Sequence, residues 1–113
     1  MAINYKNQGY DLTTTNLTTV LTISTSTVAI IKEISVTNDD NAARKVDYFF
    51  RDVSASTSYK FYHTNVPADS HDNAVHNALI LEEGDYLQFQ ADTSNVISGQ
   101  ISYALLSRTG ENG

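Results

Sequence analysis

The side chains best suited to chemistry in this chain are three histidines, a scatter of clustered acids and many hydroxyls. His71 and His76 stand with Asp69 and Asp72 in one polar stretch, and imidazole and carboxylate are the donors a transition metal takes. Their intervals match none of the recognised zinc spacings, so the stretch reads as a solvated loop. Asn38-Asp39-Asp40-Asn41 offers oxygen ligands for calcium but lacks the spacing and closing Glu of an EF-hand loop, and it reads as a turn. Glu82, Glu83 and Asp85 could supply the two carboxylates that flank a glycosidic bond. Adjacent acids on a β segment point to opposite faces, however, and around Gly84 they read as a solvated hairpin turn. No serine lies in a Gly-x-Ser-x-Gly or other nucleophile pattern, and there is no Gly-rich phosphate loop. The sequence therefore points to no enzyme, no cofactor and no metal site, and to a role in binding or assembly.

Bulk properties narrow the partners. Seven Lys and Arg against thirteen Asp and Glu leave a net charge of −6, which repels phosphate backbones and anionic lipid surfaces, so neither nucleic acid nor membrane is expected. Residues Met1 to Asp11 are polar, without the apolar run of a secretory signal, and no stretch approaches the roughly 20 apolar residues that cross a bilayer. Synthesis in the cytoplasm is expected. The 113 residues include no cysteine, which excludes disulfides and thiolate sites and suits one domain with one core. Seven Tyr and four Phe without Trp allow a carbohydrate platform, with Tyr59 and Tyr62 as the candidate rings. Tyrosine is also enriched in strands and at protein contacts, which is the simpler reading.

The elements that would position these residues are strands. From Leu17 onward Thr, Val, Ile, Tyr and Phe alternate with polar residues in short runs. Leu17, Thr19, Leu21 and Ile23 share one face. Val28, Ile30, Ile34 and Val36 share the next, with Lys32 interrupting them, and Val46, Tyr48 and Phe50 a third, where Phe49 suggests a central strand covered on both sides. Tyr59, Phe61 and His63 alternate with Lys60, Tyr62 and Thr64. Pro67 to Asn77 is expected to be a loop, Leu79 to Leu81 and Tyr86 to Ala91 to form a hairpin around Gly84, and Ile97 to Leu105 to make a long last strand. The expected fold is all-β, an antiparallel, jelly-roll-like sandwich of about seven or eight short strands.

The first residues stand apart from this pattern. An N-terminal arm is expected over residues 1–16, the sandwich over 17–107 and a polar tail over 108–113. The arm carries only Ile3, Tyr5, Tyr10 and Leu12 as apolar anchors, suited to docking on a partner rather than to building a core. Removing residues 1–12 is accordingly expected to leave the domain folded and to weaken assembly.

Ala29-Ile30-Ile31-Lys32-Glu33-Ile34-Ser35-Val36-Thr37-Asn38, then Val46 to Asp52, then Leu81-Glu82-Glu83-Gly84-Asp85-Tyr86, and finally Ile101-Ser102-Tyr103-Ala104 occur in an order that resembles small all-β virion structural proteins of tailed bacteriophages. The similarity covers roughly residues 28–107. It implies a β-sandwich with no catalytic residue, located in the virion and acting as a capsid decoration (cement) protein. Its implied partner is the major capsid protein or a neighbouring virion protein, with homo-oligomerisation. The alternative it implies is a tail, baseplate or fibre component that binds carbohydrate or a receptor. The Ser/Thr-rich segment from Thr13 to Thr27 and the His71–His76 loop depart from the pattern and leave the attachment surface open.

Overall fold

The computed structural model describes residues 2–75 and 77–107, so His76 and the expected tail lie outside the described residues. Among these, nine strands form and no helix: β1 (Ala2–Leu12), β2 (Thr18–Thr22), β3 (Thr27–Asn38), β4 (Arg44–Asp52), β5 (Thr57–Val66), β6 (Ser70–Asn73), β7 (Leu79–Leu81), β8 (Tyr86–Ala91) and β9 (Ile97–Ser107). They build two antiparallel sheets packed face to face. One runs β1-β9-β3-β6, with β7 also on β3, and the other runs β2-β8-β4-β5. The expected sandwich is the fold found.

Alternation drives the packing. Val46 and Tyr48 from β4, Leu87 and Phe89 from β8, and Ile97 and Ile101 from β9 point inward and are essentially without solvent exposure. Each such aliphatic side chain contributes about 1.5–3 kcal/mol relative to exposure. The aromatic centre is edge-on: the Phe89 ring lies 4.9 Å from Tyr48 and 5.1 Å from Tyr10.

Strict period two fails at three bulges, and each re-aims side chains. In β3 the pairing with β9 shifts between Ile31 and Glu33. Ala29 and Ile31 face the core before the shift, and Ile34 and Val36 after it, while Lys32 and Glu33 are both exposed. The face expected to unite Val28, Ile30, Ile34 and Val36 is therefore split, and Lys32 marks the break. In β2 a shift between Thr19 and Leu21 separates Thr19 from Leu21 and Ile23, which were expected beside it. In β5 the shift falls at Phe61, between the Tyr48–Tyr62 and Phe49–Lys60 pairs.

Two connections also differ from expectation. The stretch Pro67 to Asn77 contains β6, whose Ser70–Asn73 pair with Ser35–Asn38 of β3; the β3 edge supplies the ladder that local propensity does not. The Glu82–Asp85 turn is not a hairpin but a corner, since β7 lies in one sheet and β8 in the other. Gly84 has φ +86° there. The buried Asp85 carboxylate accepts the Val53 and Glu82 N–H groups at 3.1 and 2.9 Å, tying the corner to the β4–β5 loop.

Candidate interaction surface

The segment read as an arm runs from residue 2 to residue 12 as β1, paired along its length with β9, and forms the edge of its sheet. Its two halves differ. Tyr10 and Leu12 point into this chain's own core, whereas every residue from Ile3 to Gly9 is exposed, with Ile3 at 54% and Tyr5 at 81%. The buried half has a specific clasp. The Tyr10 hydroxyl reaches across β9 and donates to the Ser35 carbonyl of β3 at 2.7 Å. Gly99 makes the crossing possible, because a Cβ there would lie 1.9 Å from the Ser35 carbonyl oxygen and 2.9 Å from the Tyr10 hydroxyl. Burial raises the pKa of the Tyr10 phenol, keeping it a neutral donor.

The exposed half opens onto an apolar face. Cross-strand register places Ile3 beside Leu106 and Leu106 beside Val28. The neighbouring row runs Tyr5, Ala104, Ile30, Ile80. These side chains alternate with the inward-facing Ala29, Ile31 and Leu81, so both rows lie on the outer face, where Ile80 is 52% exposed. Charge is nearly absent here: β7, β9 and residues 27–31 of β3 carry none, and β1 carries only Lys6 before Asp11. Lys32, at the bulge, borders a shallow depression that it shares with Tyr5, Asn7 and Ser102. A contiguous apolar patch depleted of charge is the composition of a contact surface.

The other candidate residues are placed as follows. Tyr59 on the β5 edge is 46% exposed and lies 5.4 Å from the Phe50 ring. Tyr62 is half-buried against Tyr48, and its hydroxyl donates to Asp72 at 3.2 Å, so the two rings do not form one exposed platform. Asp72 also accepts from Thr64 at 2.7 Å, and His71 sits in β6 opposite Thr37. His63 and Asp47 are cross-strand neighbours in the β4–β5 ladder, joined at 2.5 Å on a wet outer face. Asn38 ends β3, and the chain bends away at Asp40 and Asn41. The buried Asn38 amide donates to the Ala42 and Val66 carbonyls at 2.9 and 3.0 Å, and Asp40 pairs with Arg44, whose hydrogen bond lowers the carboxyl's pKa. Carboxylate oxygens of Asp52, Glu82 and Asp85 lie within 4.8 Å of one another. Asp85 is already engaged by two backbone N–H groups, and Asp52 by Ser54 and Ala55, so the cluster is scaffolding for its loops.

Sequence reasoning picked out Ile3 and Tyr5 but missed Val28, Ile30, Ile80 and Leu106 as outer-face residues, packed around the buried Ala104. The one available signal was Lys32, an apparent fault in an apolar row.

No family model matches the chain, and no curated protein matches it. Solved structures share its fold. A chain of the acid-stable capsid of Helicobacter pylori bacteriophage KHP30 superposes with a TM-score of 0.60 at 8% identity, covering 96% of this chain and 90% of that one. A chain of the Bacillus endospore appendages, described as disulfide-linked pili, gives 0.51 at 12% identity over 91% and 85%. At these identities the likeness is one of fold.

Proposed function

We propose that this chain is a structural component of a bacteriophage particle, a decoration or cement protein that binds the head shell by shape through the outer face of the β1-β9-β3-β7 sheet. The observation that carries the reading is the apolar, almost charge-free pair of rows on that face, set in a chain of net charge −6. The fold likeness to a phage capsid chain, nearly complete in both directions, supports it. So does the sequence resemblance to small virion proteins over residues 28–107. The major capsid protein or a neighbouring virion protein is the partner, and the work is adhesion rather than catalysis. Many copies on a symmetric lattice multiply a modest contact.

The test is co-sedimentation of purified chain with head particles of the phage that encodes it, after the resident copies have been stripped. The unmodified chain is expected to pellet with the particles. The double variant Tyr5→Lys/Ile80→Lys, altered only at exposed positions, is expected to remain in the supernatant while keeping its circular dichroism spectrum. An unmodified chain that stays in the supernatant, or a double variant that pellets equally, refutes the reading.

A further inference from the structure

We propose that residues 2–6 of β1 pair with the same residues of a second copy, antiparallel and about a two-fold axis through Asn4, joining two sandwiches through one continuous sheet. The proposal goes beyond the particle reading and does not depend on it.

The backbone makes the first requirement. β1 is the last strand of its sheet, and an edge strand presents unpaired N–H and C=O groups to any strand that can lie beside it. β1 offers this edge where its side chains are exposed on both faces, from Ile3 to Gly9, so nothing else among the described residues stands over it. A second copy is the occupant that charge favours. Two chains of net charge −6 repel at most approaches, but here β1 carries no acid before Asp11 and its one charge is Lys6.

Side chains then choose the register. A two-fold axis perpendicular to the sheet keeps outward side chains outward, so each residue must face one of its own parity. The register that sets Ile3 opposite Tyr5 of the second copy sets Tyr5 opposite its Ile3, giving two aromatic–β-branched pairs, the cross-strand combination that stabilises sheets. Asn4 then faces Asn4, and Lys6 falls at the end of the paired segment with its ammonium in water. A register advanced by two residues per strand would set Lys6 against Lys6, a like-charge pair. The favoured register also joins the outer faces. The row Ile80, Ile30, Ala104, Tyr5 of one copy continues into Ile3, Leu106, Val28 of the other, and the apolar face becomes continuous across the dimer.

Because the chain has no cysteine, a single introduced thiol reports the geometry. Directly opposed residues of antiparallel strands have Cα atoms about 4.5–5.5 Å apart, within disulfide range. Asn4→Cys is therefore expected to give a disulfide-linked dimer under mild oxidation. Gln8→Cys places its two thiols roughly 27 Å apart at about 3.4 Å per residue, and is expected to stay monomeric. Adding Tyr5→Lys to Asn4→Cys is expected to abolish the cross-link. Light scattering of the unmodified chain is expected to show a dimer that grows with concentration. Equal cross-linking at both positions, none at Asn4→Cys, or a monomer at every concentration overturns the pairing. A monomer that still binds particles refutes the pairing alone, and a dimer that does not bind them refutes the particle role alone.

Discussion

Residues 3–9 and residues 10–12 of β1 lie on the same partner strand in the same ladder, yet their side chains have opposite fates. In the second group Tyr10 and Leu12 enter the core, and the phenol is fastened to Ser35 two strands away. In the first group nothing is buried and the hold on β9 is the backbone pairing itself. Because a backbone hydrogen bond exchanges for one with water, its net contribution is only about 0.5–1.5 kcal/mol. Side-chain burial thus decides which part of an edge strand belongs to its own domain and which part is available to another chain.

The strongest way to break this contrast is at the crossing point. Gly99→Ala puts a methyl into the Ser35 carbonyl, and since relief requires the sheet to shift, a loss of about 3 kcal/mol or complete failure to fold is expected, measured by urea denaturation. Leu12→Ala leaves a cavity in the core and is expected to cost about 2–5 kcal/mol in the same assay. Tyr10→Phe removes one hydroxyl and leaves the Ser35 carbonyl without its bond, for about 1–2 kcal/mol. It sharpens the contrast through pH as well. A phenol whose folded pKa is raised contributes stability that is fully present below the unfolded value, about 10, and lost as pH rises beyond it. Alkaline unfolding should therefore be shallower in Tyr10→Phe. At the other end of the scale, Ile3→Ser is expected to change stability by less than about 0.5 kcal/mol. If urea titration gave Ile3→Ser a cost comparable to Leu12→Ala, the division of β1 would be wrong.

Removing residues 1–12 would strip Tyr10 and Leu12 from the core together with the exposed half. A truncation ending at residue 8 separates the two contributions.

The amino-acid pattern made the sandwich legible because alternation in β4, β8 and β9 reports directly on which face is wet. It made Ile3 and Tyr5 legible because they are apolar residues in a polar stretch. The rest of the candidate surface was hidden by register. Parity carried past Lys32 assigns Val28 and Ile30 to the same side as Ile34 and Val36, and only the inserted residue reverses that. The corner at Gly84 was hidden for a different reason. A turn that needs positive φ looks the same whether its arms pair with each other or separate into two sheets, and the choice is made by the Asp85 bonds to Val53 and Glu82. β6 gave no local signal because its ladder comes from β3.

The inserted residue in β3 also governs how this surface can change over time. Substitutions can retouch one side chain at a time, but a one-residue deletion at Lys32 would leave Ile31 and Ile34 two residues apart, so Ala29, Ile31, Ile34 and Val36 would stay on the core face in regular alternation and only the exposed pair at the bulge would shrink to one residue. Length can therefore vary by one residue at this single point without disturbing either the interior or the outer apolar rows, whereas a one-residue change of length elsewhere in β3 would turn part of the strand over.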